Sequence, residues 1–200
     1  MSIESGLKKT VLVTGANGLL GQKLIGFLRK DENVELIGTG KGASRLPESW
    51  EGSYSWMELD ITDRDQVMAV FSVTKPDSVI HTAAMTQVDD CEKDREGCRI
   101  LNVEAVRYLI EACEKYDTHL IHLSTDFIFD GEDGPYTEEA LPNPVNYYGV
   151  TKMEAENLLF ASKVRWAIVR TVLVYGIAQD MSRANIILWV QKSLEEGKTI

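Results

Sequence analysis

Tyr148 and Lys152 are the pair whose types and spacing most directly suggest chemistry. Four residues apart on one helix, they would share a face and reach a common point. A free phenol, with a pKa of about 10, holds its proton too tightly to work well at neutral pH. A neighbouring ammonium favours the phenolate and makes the tyrosine a usable general acid or base. Taken alone, a Tyr-x-x-x-Lys pair also fits a surface i,i+4 contact. Its company is Ser124-Thr125-Asp126-Phe127-Ile128-Phe129-Asp130-Gly131, at the end of an apolar run. A hydroxyl at the C-terminal end of a strand sits where ligands bind in open α/β sheets. Thr125 could orient a substrate carbonyl while Tyr148 supplies its proton, with Ser124 as the structural neighbour.

These side chains need elements to hold them, and the organising stretch is T-V-L-V-T-G-A-N-G-L-L-G from Thr10 to Gly21. Thr10 to Val13 reads as a buried parallel strand. Gly15, Gly18 and Gly21 follow at three-residue spacing, and an amphipathic segment runs from Leu19 to about Lys30, with Leu20, Leu24, Phe27 and Leu28 on one side. Strand, glycine turn and helix are the context of a dinucleotide-binding fingerprint. Gly15 takes the tight turn, Gly18 lets backbone approach a pyrophosphate at the helix N-terminus, and Gly21 allows close helix–strand packing. The spacing is one residue longer at the front than Gly-x-Gly-x-x-Gly, and a glycine-rich turn of another α/β protein remains the alternative.

The rest of the chain alternates in the same way. Strands are expected at Val34–Thr39, Ser55–Glu58, Ser78–His81, His119–Ser124 and Arg165–Thr171. Helices are expected at Asp63–Val73 behind a Thr62 cap, through Glu92–Tyr116, at Asn146–Ser162 and at Ala184–Glu196. Such β-α alternation predicts an α/β fold, a doubly wound parallel sheet with right-handed crossovers. The one long irregular stretch, Phe127 to Val145, is of a length that is usually functional or mobile.

The end of the second strand bears on cofactor choice. An NAD site carries an acid there for the adenosine ribose. This strand instead runs into Gly40-Lys41-Gly42-Ala43-Ser44-Arg45. Lys41 and Arg45 suit a 2′-phosphate, so NADP is expected rather than NAD; the alternative is a pair of solvated loop charges. Asp60 and Ile61, after the third strand, fall where such folds hold the adenine. The small residues of Thr82-Ala83-Ala84 let backbone pass close to a cofactor, or simply pack the strand end. Asp89 and Asp90 read as helix caps rather than as a catalytic carboxylate pair.

Composition excludes several classes. A net charge of −10 argues against a nucleic-acid surface. No apolar run approaches a membrane span, the N-terminus lacks a signal-peptide pattern, and a cytoplasmic protein is the default expectation. Cys91, Cys98 and Cys113 form no Cys-x-x-Cys pair, and His119 and His122 would point to opposite strand faces, so no metal site is expected.

With these motifs in order, the sequence resembles a known family. Thr14-Gly15-Ala16-Asn17-Gly18 is similar to the opening of the extended short-chain dehydrogenase/reductases. Ser124 to Gly131, then Pro135-Tyr136 and Glu138, Pro142 to Pro144, Asn146-Tyr147-Tyr148-Gly149 and Thr151-Lys152 resemble the dTDP-4-dehydrorhamnose reductases. The glycine loop, the stretch from Ala83-Ala84 to Glu92, Asn102, Arg170-Thr171 and Tyr175-Gly176 match the same family. The resemblance implies a Rossmann-type fold and reduction of the 4-keto group of a dTDP-6-deoxy-hexulose by NADPH. Carried over by position, Thr125, Tyr148 and Lys152 would be catalytic. Gly15, Asn17, Gly18, Leu19 and Leu20 would line the pyrophosphate, with Lys41, Arg45, Asp60, Ile61, Ala83, Ala84, Tyr148 and Lys152 around the remainder of the cofactor. Family members continue beyond the position of Ile200 through a part that helps enclose the sugar. Residues 1–200 are therefore expected to form the NADP-binding domain, with the substrate-binding part largely absent and dTDP-sugar binding weak. The expected partners are a nucleotide-sugar substrate and a second copy in a homodimer, with no nucleic acid and no membrane. The alternatives are a nucleotide-sugar epimerase or dehydratase, and an NADP-binding regulatory protein like the β subunit of methionine adenosyltransferase.

Overall fold

The computed structural model describes residues 8–179 and 186–199. Among these, six strands form one parallel sheet: β1 (Lys9–Thr14), β2 (Val34–Gly40), β3 (Ser55–Glu58), β4 (Ser78–His81), β5 (His119–Thr125) and β6 (Trp166–Thr171), in the order β3-β2-β1-β4-β5-β6. The chain winds outward from β1 to one edge, returns, and winds from β4 to the other. The crevice between β1 and β4 is thus the switch point where open α/β sheets bind ligands.

The helices are α1 (Leu19–Leu28), α2 (Arg64–Thr74), α3 (Val88–Lys93), α4 (Arg95–Arg99), α5 (Ala105–Tyr116), α6 (Tyr147–Ala161) and α7 (Ile186–Glu195). Successive strand residues face opposite sides of the sheet. Leu12 accordingly packs with Val79, Leu120, Phe71 and Leu109 on the side of α2 and α5, whereas Val13 packs with Ile25 and Leu36 on the side of α1. Strand register then places Thr14 beside His81, and His81 beside His122, along one level of the sheet.

Several local expectations need correction. In α1 the buried residues are Gly21, Gln22 and Ile25, while Phe27 is 75% exposed. The helix lies on the sheet through its glycine, so the wide leucine face is only half covered. Asp63, not Thr62, caps α2: its carboxylate accepts from the Asp65 and Gln66 amides, and the Thr62 hydroxyl donates to Asp60 instead. The helical pattern through Glu92–Tyr116 is interrupted. Asp94 ends α3 and caps α4 by accepting from Gly97 N, and a π-helical turn at Ile100–Glu104 leads into α5. Gln87 occupies the cap position of α3, and Asp89 and Asp90 lie in its first turn. There they complement the helix dipole. Of the expected final helix, Ala184 and Asn185 lie outside the described residues.

The stretch from Phe129 to Val145 is pinned by its own side chains. Asp130 accepts from the Tyr136 hydroxyl, from Asn143 Nδ2 at 2.8 Å and from Glu132 N at 3.1 Å. Phe129 stacks on Tyr136 at 4.3 Å between centroids. Arg170 lies over Phe129, donates to the Glu138 carbonyl, and makes a two-pronged pair with buried Glu156 at 3.1 and 2.7 Å.

Candidate active site

Gly15 adopts a φ of +69°, and a Cβ built there would lie 2.7 Å from Ala83 N. The turn after β1 therefore touches the end of β4, and only small residues fit both sides of the contact. A Cβ on Gly21 would collide with the Gly15 carbonyl oxygen, which explains how α1 starts so close to β1. Two connected hollows, of about 540 and 350 Å³, open over this floor and share Asn17, Gly18, Arg45, Thr82, Ala84 and Leu101. Leu19 and Leu20 line the larger, next to Ser124, Tyr148 and Lys152. Gly15, Lys41, Ile61 and Ala83 line the smaller. One elongated cleft thus brings together the glycine loop and the Tyr–Lys helix.

Some predicted residues have other attachments. Asn17 does not simply face the cleft: its Nδ2 donates to the Ala43 carbonyl at 3.0 Å and its Oδ1 accepts from Arg45 N at 2.8 Å. The glycine loop is thereby tied to the loop after β2. The tip of β2 is acid-free along the chain but not in space, because Asp60, from the end of β3, lies 2.8 Å from Lys41 Nζ. Burial pushes the Asp60 carboxyl up, but hydrogen bonds from Lys41 and Thr62 outweigh it and hold the group below its ordinary value. Asp60 does not itself wall either hollow, whereas its neighbour Ile61 walls the smaller.

At the other end, Asn146 caps α6 by accepting from Gly149 N at 2.8 Å. Tyr148 sits in the first turn, 8% exposed and edge-on to Phe127. Burial pushes its phenol above the ordinary value, and the adjacent Thr125 hydroxyl only partly opposes this. The expectation that Lys152 would favour the phenolate is not met by this geometry. The Lys152 ammonium is directed to the Leu123 carbonyl at 2.6 Å and to His122 Nε2 at 3.1 Å. Burial lowers Lys152 to about 8.

The two strand-end hydroxyls also differ from expectation. Thr125 donates to Asp126 Oδ1 at 3.1 Å and accepts from Phe127 N at 3.2 Å, capping the short turn that follows. Ser124, expected to be structural, forms part of the cleft wall, and its buried Oγ has no hydrogen-bond partner among the described residues. Strand alternation puts Ser124 on the same face as His122, toward α6.

Sequence reasoning missed three buried polar residues. His81 and His122 stack with ring centroids 5.4 Å apart, and Thr14 Oγ1 lies 2.7 Å from His81 Nδ1. Burial lowers His81 to about 3 and holds His122 well below its ordinary value. Gln22, on the buried side of α1, bonds the Asn17 carbonyl and both backbone groups of Gln179, tethering the segment after β6 to the glycine loop. A polar residue inside an apolar run was the available signal in each case. Asn102, quoted only for its resemblance, bonds both backbone groups of Met85 and the Thr151 hydroxyl, joining the end of β4 to α6.

A glycine floor open to backbone approach, a helix N-terminus and a wall bearing an unpartnered hydroxyl, a phenol and an ammonium fit a dinucleotide lying beside a small polar substrate. The family model described as RmlD substrate binding domain matches residues 9–200. A dTDP-4-dehydrorhamnose reductase of Aggregatibacter actinomycetemcomitans is 33% identical over 83% of this chain and 52% of its own. The methionine adenosyltransferase 2 subunit beta of Xenopus tropicalis is 30% identical over 92% of this chain and 52% of its own. The crystal structure of a dTDP-4-dehydrorhamnose reductase from Bacillus anthracis in complex with NADP is 28% identical, with a TM-score of 0.75 over 95% of this chain and 61% of that one. The chain spans about half the length of these two curated relatives.

Proposed function

Since the chain belongs to the RmlD substrate binding domain family, we propose that residues 1–200 are the NADP-binding domain of a cytoplasmic nucleotide-sugar reductase. The substrate is the 4-keto group of a dTDP-6-deoxy-hexulose, reduced to the alcohol of dTDP-L-rhamnose. The observation that carries this reading is the placement of Tyr148 and Lys152 on the wall of the same cleft whose floor is the glycine loop. Gly15, Gly18, Leu19 and Leu20 would hold the pyrophosphate, Ile61, Ala83 and Ala84 the adenosine, and Lys41 and Arg45 a 2′-phosphate. Bound NADPH would supply the hydride that the chain itself cannot. Tyr148, kept protonated by burial, is suited to give its phenolic proton to the carbonyl oxygen as that oxygen gains charge. Ser124 can donate to the same oxygen, Thr125 lies against the Tyr148 hydroxyl, and the Lys152 ammonium can hold a ribose hydroxyl.

A non-enzymatic NADP-binding role is the second reading, favoured by the similarity to methionine adenosyltransferase β subunits along 92% of the chain. Calorimetric titration with NADPH and NADH, followed by a screen of nucleotide-sugars for NADPH oxidation, separates the two. Tighter NADPH and oxidation by a 4-keto sugar support the reductase. Tight NADPH together with a bound sugar nucleotide that does not oxidise it favours the second reading, and equal or tighter NADH removes the argument from Lys41 and Arg45.

A further inference from the structure

Lys152 is fully buried, yet among the described residues its ammonium meets only two acceptors, one of them a histidine ring. An ammonium has three donors and no acceptor. If His122 Nε2 accepts from it, the proton of the neutral ring must sit on Nδ1. That Nδ1 is buried without a partner among the described residues. A buried N–H with no acceptor is costly, and an apolar side chain at this position would avoid the cost. The ring is also held in place: His81 stacks on it, and Thr14 bonds His81 from the far side. A braced imidazole with one nitrogen unsatisfied and the other on the Lys152 ammonium is organised for that single contact.

We propose that His122 is a positioning residue for Lys152: its Nε2 and the Leu123 carbonyl fix Nζ at the cleft wall, leaving one N–H for a ligand. The inference deepens the reading of the cleft as a dinucleotide site, and the ligand that takes the third donor rests on that reading. Among the described residues, the groups facing Lys152 are few. Tyr148 and Glu156 lie one turn away on α6, with Glu156 paired to Arg170 of β6. Cys98 approaches from α4, His122 from β5 and His81 from β4. Burial depresses the ammonium to about 8, so acceptors that favour its charged form matter near neutral pH.

The test is carried out on the ligand-free protein, so it stands apart from whether NADPH binds. In ¹⁵N spectra the His122 ring should be the Nδ1–H tautomer with an unprotonated, hydrogen-bonded Nε2. An Nε2–H tautomer overturns the proposal without any substitution. In protein carrying ¹³C-labelled lysine, with the Lys152 signal assigned by its loss in Lys152→Met, the Lys152 midpoint should fall by about one pH unit in His122→Leu, which loses one hydrogen bond to a charged group. His122→Gln, which offers an amide oxygen near the place of Nε2, should restore most of it. Equal midpoints in the unsubstituted protein and His122→Leu, or no recovery in His122→Gln, would show that His122 merely fills space.

Discussion

The stacked imidazoles of β4 and β5 make the fold acid-labile in a calculable way. His81 is held at about 3, against an ordinary value of 6.5, and His122 is lowered by the same burial and by the Lys152 charge. Below pH 6.5 the unfolded chain takes up a proton on each ring more readily than the folded chain does. Their contribution is therefore fully present above that pH and is lost as pH falls toward the folded values. Down to about pH 5 His81 alone forgoes about 1.5 decades of protonation, or about 2 kcal/mol, and His122 adds to the loss in the same direction. That is a large part of the stability of an ordinary domain. Both rings are buried, so solvent screening does not reduce the figure. The assay is urea unfolding at about pH 7.5 and about pH 5 for the protein and for His81→Asn/His122→Gln, whose amides do not titrate. Carboxylate effects common to both proteins cancel in the difference. The unsubstituted protein should lose at least about 2 kcal/mol more than the double variant. Equal losses would mean that the rings take up protons in the folded state as readily as in the unfolded one.

Three other outcomes follow from the same geometry. Tyr148→Phe keeps the edge-on contact with Phe127 and removes only the acid, so in protein that binds the sugar nucleotide turnover on a 4-keto sugar should fall by about 10²- to 10⁴-fold with little change in NADPH affinity; near-normal turnover in a coupled assay would end the assignment. Asn17→Ala frees the loop after β2 from the glycine loop, and calorimetry should show NADPH affinity reduced by about tenfold, through two lost hydrogen bonds, with NADH affected less. An equal loss for both cofactors would make Asn17 a general brace rather than a link to the 2′-phosphate site. Arg170→Leu strands the buried Glu156 carboxylate and should cost about 3–5 kcal/mol in chemical unfolding, with most of it recovered in Arg170→Leu/Glu156→Leu.

The layout of the sheet was legible because each strand is a short apolar run and each crossover carries a helical pattern. The six expected strands appear with boundaries shifted by a residue or so. The glycine turn and the Tyr–Lys helix were legible for the same local reason. What escaped were contacts between strand ends far apart in sequence. Lys41 and Asp60 meet only because β2 and β3 are neighbours in register. His81 and His122 meet only because β4 and β5 are. That Ser124 joins the cleft wall depends on which face of β5 turns toward α6, and a strand's pattern does not say which face meets which helix. The break at Asp94 was hidden because apolar spacing on either side of it continues in phase, although an aspartate three residues before a glycine was a readable cap signal.

The central claim is that this cleft delivers a hydride and a proton to a sugar ketone, with Tyr148 as the proton donor. Its most direct test is single-turnover transfer from NADPH deuterated at C4 of the nicotinamide to a dTDP-4-keto-6-deoxy-hexulose, read by mass spectrometry of the sugar. The account predicts one deuterium bound to C4 of the product, and almost none on the same timescale in Tyr148→Phe. NADPH and the sugar nucleotide both bound by the protein, with no deuterium reaching C4, would contradict it.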